Sequence, residues 1–254
     1  VMVGQDAMFN GVLILFSGAA TWFVLNHYDW STVYLIVAGL IVVVLVLAAA
    51  SSFTPVVVSS DEQEEGATRW NTGIILVGIS LLLFMMAKIS IFVWAPQFVQ
   101  QSFDVGAEVS GQFMANIFAA AFVGSIFGTW AASKIEVKHL LYIFVIISAV
   151  TVFMFTQTGS LSLMLILAYC YGVSVSATYN AYVAFGLSFV ANPTHKNVVY
   201  LQLMSGLGST LAPFISSMIV EKTGAVTGAM QFCFITLLVV AVTLAISGFL
   251  HRKF

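Results

Sequence analysis

Apolar residues run through this chain in long blocks separated by short polar breaks, and the repeat matches the width of a bilayer rather than one face of a soluble helix. The blocks predict eight helical spans at about 6–26, 31–50, 72–99, 109–132, 139–156, 160–189, 198–220 and 227–250. Most of these lengths are near the roughly 20 residues with which an α-helix crosses a hydrocarbon core. A membrane β-barrel would instead show alternating segments of about ten residues. Helices therefore satisfy the backbone in lipid. The breaks at 26–30 and 156–160 are so short that the spans they join must be antiparallel hairpins. The expected fold class is an all-α, polytopic membrane bundle.

One break differs from the rest. Residues 51–71 contain Pro55, several serines and the acidic run Asp61, Glu62, Glu64 and Glu65, the composition of a solvated linker. The linker divides the chain into a two-helix unit at 1–50 and a six-helix unit at 72–254.

Composition narrows the function classes. Hydrophobic residues make up 61% of the chain and charged residues 7%, against about 25% charged in a soluble domain. A formal net charge of -2 leaves no basic surface, so nucleic acid is not an expected partner and the lipid bilayer is. Cys170 and Cys233 fall inside apolar spans and read as small buried thiols. With eight crossings, Arg69, Lys134, Lys138, Lys196, Arg252 and Lys253 share one side and Lys222 takes the other. By the positive-inside rule, both ends and the acidic linker are expected in the cytoplasm. The first ten residues lack a charged segment with a cleavage site and do not begin with Met, so the chain is expected to start within a longer protein.

The candidate chemistry centres on Lys88, a cation inside the third span. At 1.5 Å per residue it lies about 24 Å from the start of that span. A lysine stem reaches about 6 Å, too little for comfortable snorkelling to the interface. Such a cation costs roughly 3 kcal/mol or more and marks either a solute path or a structural contact with neighbouring carbonyls and hydroxyls. The only acidic residue near another span's interior is Asp6, at a different depth. Lys88 is thus expected to meet a carboxylate on helices outside this chain or an anionic group on a ligand.

Gln112 and Asn116, spaced i, i+4, share a face of the next span, with Asn116 near the depth of Lys88. They are candidates either for one polar site or for interhelical hydrogen bonds. The sixth span is dense in hydroxyl and amide groups, among them Tyr171 near the midplane and Asn180 nearer the cytoplasmic end, so one of its faces is expected to line a cavity. Gly124 and Gly128 form a small-xxx-small face on the fourth span, while Gly206, Gly208 and Pro213 interrupt the seventh near mid-membrane. They read as tight packing or as deformable points at a moving interface. Pro96 is expected to bend or end the third span beside Trp94, whose indole suits the outer interface.

All four histidines, His27, His139, His195 and His251, sit at span ends, and no phosphate-binding Gly-rich loop is present. The residues support neither an enzyme, a metal site, a cofactor nor transport driven by ATP.

These features together resemble the last eight helices of a major facilitator superfamily transporter: two helices of the amino-terminal half, a central loop and a six-helix carboxy-terminal half. The segment Gly128-Thr129-Trp130-Ala131-Ala132-Ser133-Lys134-Ile135-Glu136-Val137-Lys138 resembles the second copy of that family's Gly-and-basic cytoplasmic loop, without its usual acidic residue and arginines. Trp94-Ala95-Pro96-Gln97-Phe98, Val190-Ala191-Asn192-Pro193 and Ser205-Gly206-Leu207-Gly208-Ser209-Thr210 resemble the TsgA-like branch, itself similar to fucose–proton symporters. The resemblance implies a secondary transporter in a bacterial inner membrane. It would move a small polar or anionic solute by alternating access, coupled to protons, with the missing amino-terminal helices as its partner. The proton-linked carboxylates of fucose-permease-like members belong mainly to that missing half, so none is assigned here. The alternative is a non-transporting scaffold or sensor on the same bundle.

Overall fold

The computed structural model describes residues 29–50 and 70–251, together with Val12, Ala19, Trp22, Phe23 and Asn26. Most of the predicted span at 6–26, Asp6, nearly all of the acidic linker, and Arg252 and Lys253 lie outside the described residues. The elements are α1 (Trp30–Ala50), α2 (Thr72–Phe103), α3 (Ala107–Ala132), α4 (Val137–Gln157), α5 (Leu161–Ser176), α6 (Thr178–Leu187), α7 (His195–Thr223) and α8 (Val226–His251). Among the described residues, six helices are long and apolar enough to cross a membrane, with α5 and α6 counted as one, and α1 carries a shorter apolar stretch at Tyr34–Leu47.

Polar residues in the breaks set the helix ends. The Asn71 side chain accepts from Gly73 N–H at 2.8 Å, starting α2, and the Ser160 hydroxyl accepts from Leu163 N–H at 3.4 Å, starting α5. Each satisfies one of the first-turn donors that a helix leaves open. Asp104 at φ 50° and Gly224 at φ 68° end α2 and α7 in the left-handed conformation that stops a helix.

Three expectations about helix breaks are corrected. Pro96 does not end α2, since the helix runs on to Phe103. Neither the glycines nor Pro213 interrupt α7, which is continuous from His195 to Thr223. The break falls instead inside the span predicted as continuous at 160–189, where Ala177, at φ -98° and ψ 7°, separates α5 from α6.

α2 is the central helix, packing against α3, α6, α7 and α8, while α4 packs on α5, α6 and α8. The main pairings repeat when α2, α3 and α4 are exchanged for α5–α6, α7 and α8: α3 on α5 matches α7 on α2, and α2 on α8 matches α5 on α4. The bundle is thus two interlocked three-helix units. Phe84, Phe113, Ile117, Leu141, Met164 and Tyr182 fill its centre, fully buried. Apolar side chains also cover the outside: every residue from Leu40 to Leu47 on α1 is exposed, as are Ile146 on α4 and Val242 on α8. Lipid tails are as apolar as leucine, so nothing drives such side chains inward, and close packing of small residues does the work of association instead. Gly208 shows this: a Cβ there would lie 2.2 Å from the Leu82 carbonyl oxygen, so only glycine allows α7 to approach α2 at this point.

Candidate functional site

The site is built around the break at Ala177. A helix leaves its last four carbonyls without backbone donors, and inside a membrane each such group costs several kcal/mol unless it is satisfied. Here side chains supply the donors. Ser176 Oγ donates to Val173 O at 2.7 Å, Thr178 Oγ1 to Ser174 O at 2.7 Å, and Lys88 Nζ, from α2, to Val175 O at 3.4 Å. The ammonium therefore stands at the negative end of the α5 dipole, a position that favours a cation. It also lies 5.8 Å from the centre of the Phe92 ring, within cation–π range. Lys88 is half-buried.

This arrangement changes the reading of the hydroxyl-rich span. Ser174, Ser176 and Thr178 are buried and do not form a cavity face; they bond backbone carbonyls at the break, and Ser174 Oγ also lies 2.8 Å from Ser148 Oγ of α4. Tyr171 is not on an open wall either. It is 1% exposed, with its ring edge-on to Phe92 at 6.5 Å and to Phe155 at 6.0 Å. Phe92 thus touches both Tyr171 and Lys88.

The amides of α3 occupy a separate place. Asn116 accepts from Tyr169 of α5 at 3.0 Å rather than from Lys88. Gln112 is exposed one turn away on the same face. Together with Tyr169, itself exposed, they form a polar rim along the α3–α5 seam.

Asn180 lines a cavity of about 260 Å³ between α3, α4 and the α5–α6 break, with Gly128, Thr129, Ala132, Ala177 and Ala184. The glycines expected to permit close approach do so at the break itself. A Cβ on Gly124 would stand 2.7 Å from Ser176 Oγ and 2.9 Å from Val173 Cα, and one on Gly128 would stand 2.6 Å from Ala177 Cβ. Gly206 differs, because a Cβ there meets nothing within 4 Å, so it makes no close helix approach.

Sequence reasoning missed two contacts that fasten α2 to α7. Ser90 Oγ donates to Ala212 O at 3.2 Å, and Trp94 Nε1 donates to Ser216 Oγ at 2.8 Å. The indole is half-buried and fastens α2 to α7. The signal for the missed break was the triplet of small hydroxyl residues around Ala177, which are poor interior helix formers but good carbonyl caps.

The family model described as the Major Facilitator Superfamily matches residues 2–201. A protein of Yersinia enterocolitica named "Protein TsgA homolog" is 19% identical over 221 residues, covering 86% of this chain and 56% of that protein. The protein of the same name from Buchnera aphidicola is 19% identical over 160 residues, covering 63% of this chain and 41% of its own length. The chain therefore spans about half the length of the curated relatives it matches.

Proposed function

Because the chain belongs to the Major Facilitator Superfamily, we propose that it forms part of a secondary transporter that moves a small polar or anionic solute across a bacterial inner membrane by alternating access, coupled to protons. In this reading residues 72–254 are a six-helix transporter half, residues 51–71 are the cytoplasmic linker, and residues 1–50 belong to an amino-terminal half whose other helices complete the cavity. Both ends lie in the cytoplasm.

The observation that carries the proposal is Lys88, a half-buried cation within a membrane-spanning helix, held at the carboxyl end of a broken helix. An anionic group on a solute competes with the Val175 carbonyl for the ammonium and brings a full negative charge where the protein offers a partial one. Gln112 and Asn116 supply amide donors and acceptors on the neighbouring rim, Tyr171 backs the Phe92 ring, and Asn180 lies in the cavity beside the break. Gly124 and Gly128 allow α3 to slide against the broken span, Gly208 sets the α2–α7 distance, and Gly206 and Pro96 are points of limited stiffness.

The test is uptake by the complete transporter with Lys88→Met. Solute affinity falls at least tenfold if the ammonium binds the solute, which corresponds to about 1.4 kcal/mol. Unchanged uptake, affinity and pH dependence would sink the assignment.

A second reading has its own observation. The Val175 carbonyl and the Phe92 ring both engage Lys88, as in a non-transporting scaffold or sensor. Labelling from water separates the two: a cysteine at position 88 that reacts with a soluble thiol reagent, and is shielded by solute, supports transport.

A further inference from the structure

At the end of the bundle where α4 begins and α8 finishes, a cavity of about 200 Å³ is lined by Lys138, His139, Tyr142, Ala245, Gly248 and Phe249. Its shape follows from the sequence. Tyr142 reaches across from α4 and donates to Leu244 O at 2.7 Å, and a Cβ on Gly248 would meet the Tyr142 hydroxyl oxygen, so the tyrosine would have to shift to admit one. The small Ala245 and Gly248 leave a hollow, which Phe249, 67% exposed, walls on the outside.

The mouth of the hollow is polar and charged. Lys138 Nζ lies 2.6 Å from Glu136 Oε2, and His139 Nδ1 lies 3.5 Å from the same oxygen. The sequence adds Lys134 shortly before this end. Among the described residues here, Lys134, Lys138 and His139 outnumber the acid Glu136.

Away from the mouth, the hollow continues into an apolar seam. Ile143, Ile146 and Val150 on α4 and Val242, Leu238 and Ile235 on α8 are all exposed, and they follow helical spacing along two helices that pack together. Cations at the membrane boundary above a paired apolar stripe complement a phosphodiester with an acyl chain attached.

We propose that the α4–α8 seam binds one anionic glycerophospholipid, with its phosphate on Lys138 and His139 and an acyl chain along the stripe. The site is separate from the solute path and stands whether or not the chain transports. In the orientation proposed above it faces the cytoplasmic leaflet.

Native mass spectrometry of the full protein in detergent tests this, with phosphatidylglycerol, phosphatidylcholine and inorganic phosphate as alternative probes. The unsubstituted protein retains one phosphatidylglycerol in preference to phosphatidylcholine, and Lys138→Gln with His139→Gln weakens retention at least fivefold, the effect of about one surface cation on an anionic lipid. Equal retention of the two lipids, unaltered retention by the double variant, or displacement of the lipid by millimolar inorganic phosphate would each overturn the proposal. A second measurement does not depend on the variant folding. Phosphatidylglycerol carrying a photoactivatable acyl chain, reconstituted with the unsubstituted protein, labels the peptides containing Ile143 and Val242. Labelling confined to other helices would equally overturn it.

Discussion

Lys88 Nζ donates to the carbonyl oxygen of Val175 at 3.4 Å, so the cation of one membrane helix caps the broken end of another. The bond links a charged side chain within a membrane-spanning helix to a carbonyl at a helix end that needs a donor. The costly lysine of one helix and the unpredicted break in another are therefore one feature.

That pairing predicts a local change in dynamics. Lys88→Met leaves the Val175 carbonyl without this donor, at a cost of about 1–3 kcal/mol, which falls on the junction of α5 and α6 rather than on the whole fold. Amide hydrogen exchange in Thr178–Leu187 should accelerate, while that of α4 and α8 stays unchanged. Uniform acceleration in every helix would argue against a local role.

The two α7 glycines should behave oppositely. Gly208→Ala forces a Cβ to within 2.2 Å of the Leu82 backbone oxygen, so α7 must shift away from α2 and the thermal midpoint should fall clearly. Gly206→Ala meets nothing within 4 Å and gains up to about 1 kcal/mol of helix propensity. Thermal unfolding of both variants in detergent checks the contrast, and equal midpoints would contradict it.

Trp94 and Ser216 should be energetically coupled through their 2.8 Å hydrogen bond. A double-mutant cycle with Trp94→Phe and Ser216→Ala should give about 0.6 kcal/mol, the average for hydrogen bonds between membrane helices. A coupling indistinguishable from zero would show that this bond does not fasten α2 to α7.

Gly248→Ala should destabilise the α4–α8 seam, because its methyl group meets the Tyr142 hydroxyl. Tyr142→Phe alone should cost about 1 kcal/mol by losing the bond to the Leu244 carbonyl. In the double variant the two losses should not add, since removing the hydroxyl makes room for the methyl group. Additive shifts in unfolding midpoint would show that the two residues do not meet.

The fold class was legible because the hydrophobic blocks carry it: the six spans from 72 to 250 that the sequence predicts are the six long apolar helices found there. The small residues Gly124 and Gly128 were likewise readable as points of close approach, because only glycine lacks the atom that would collide. The site was less legible. Lys88 stood out by charge alone, but Tyr171 and Trp94 gave no sign in sequence of whether they would turn inward, since an aromatic residue in a membrane helix suits lipid, a cavity or a neighbour equally well.

The sequence by itself determined that this chain spans a membrane as helices, where the breaks from residue 72 onward fall to within a few residues except at Ala177, and that one lysine would need an explanation. Only the tertiary structure decided which carbonyl Lys88 meets, which hydroxyls close the break, and which glycine of a pair bears a contact. The physical reason is that burial in lipid is a property of composition, which accumulates over twenty residues of one strand of sequence. Hydrogen bonds and close contacts depend on single atoms from helices far apart in the chain, as Lys88 and Val175 are, and no local pattern records their meeting.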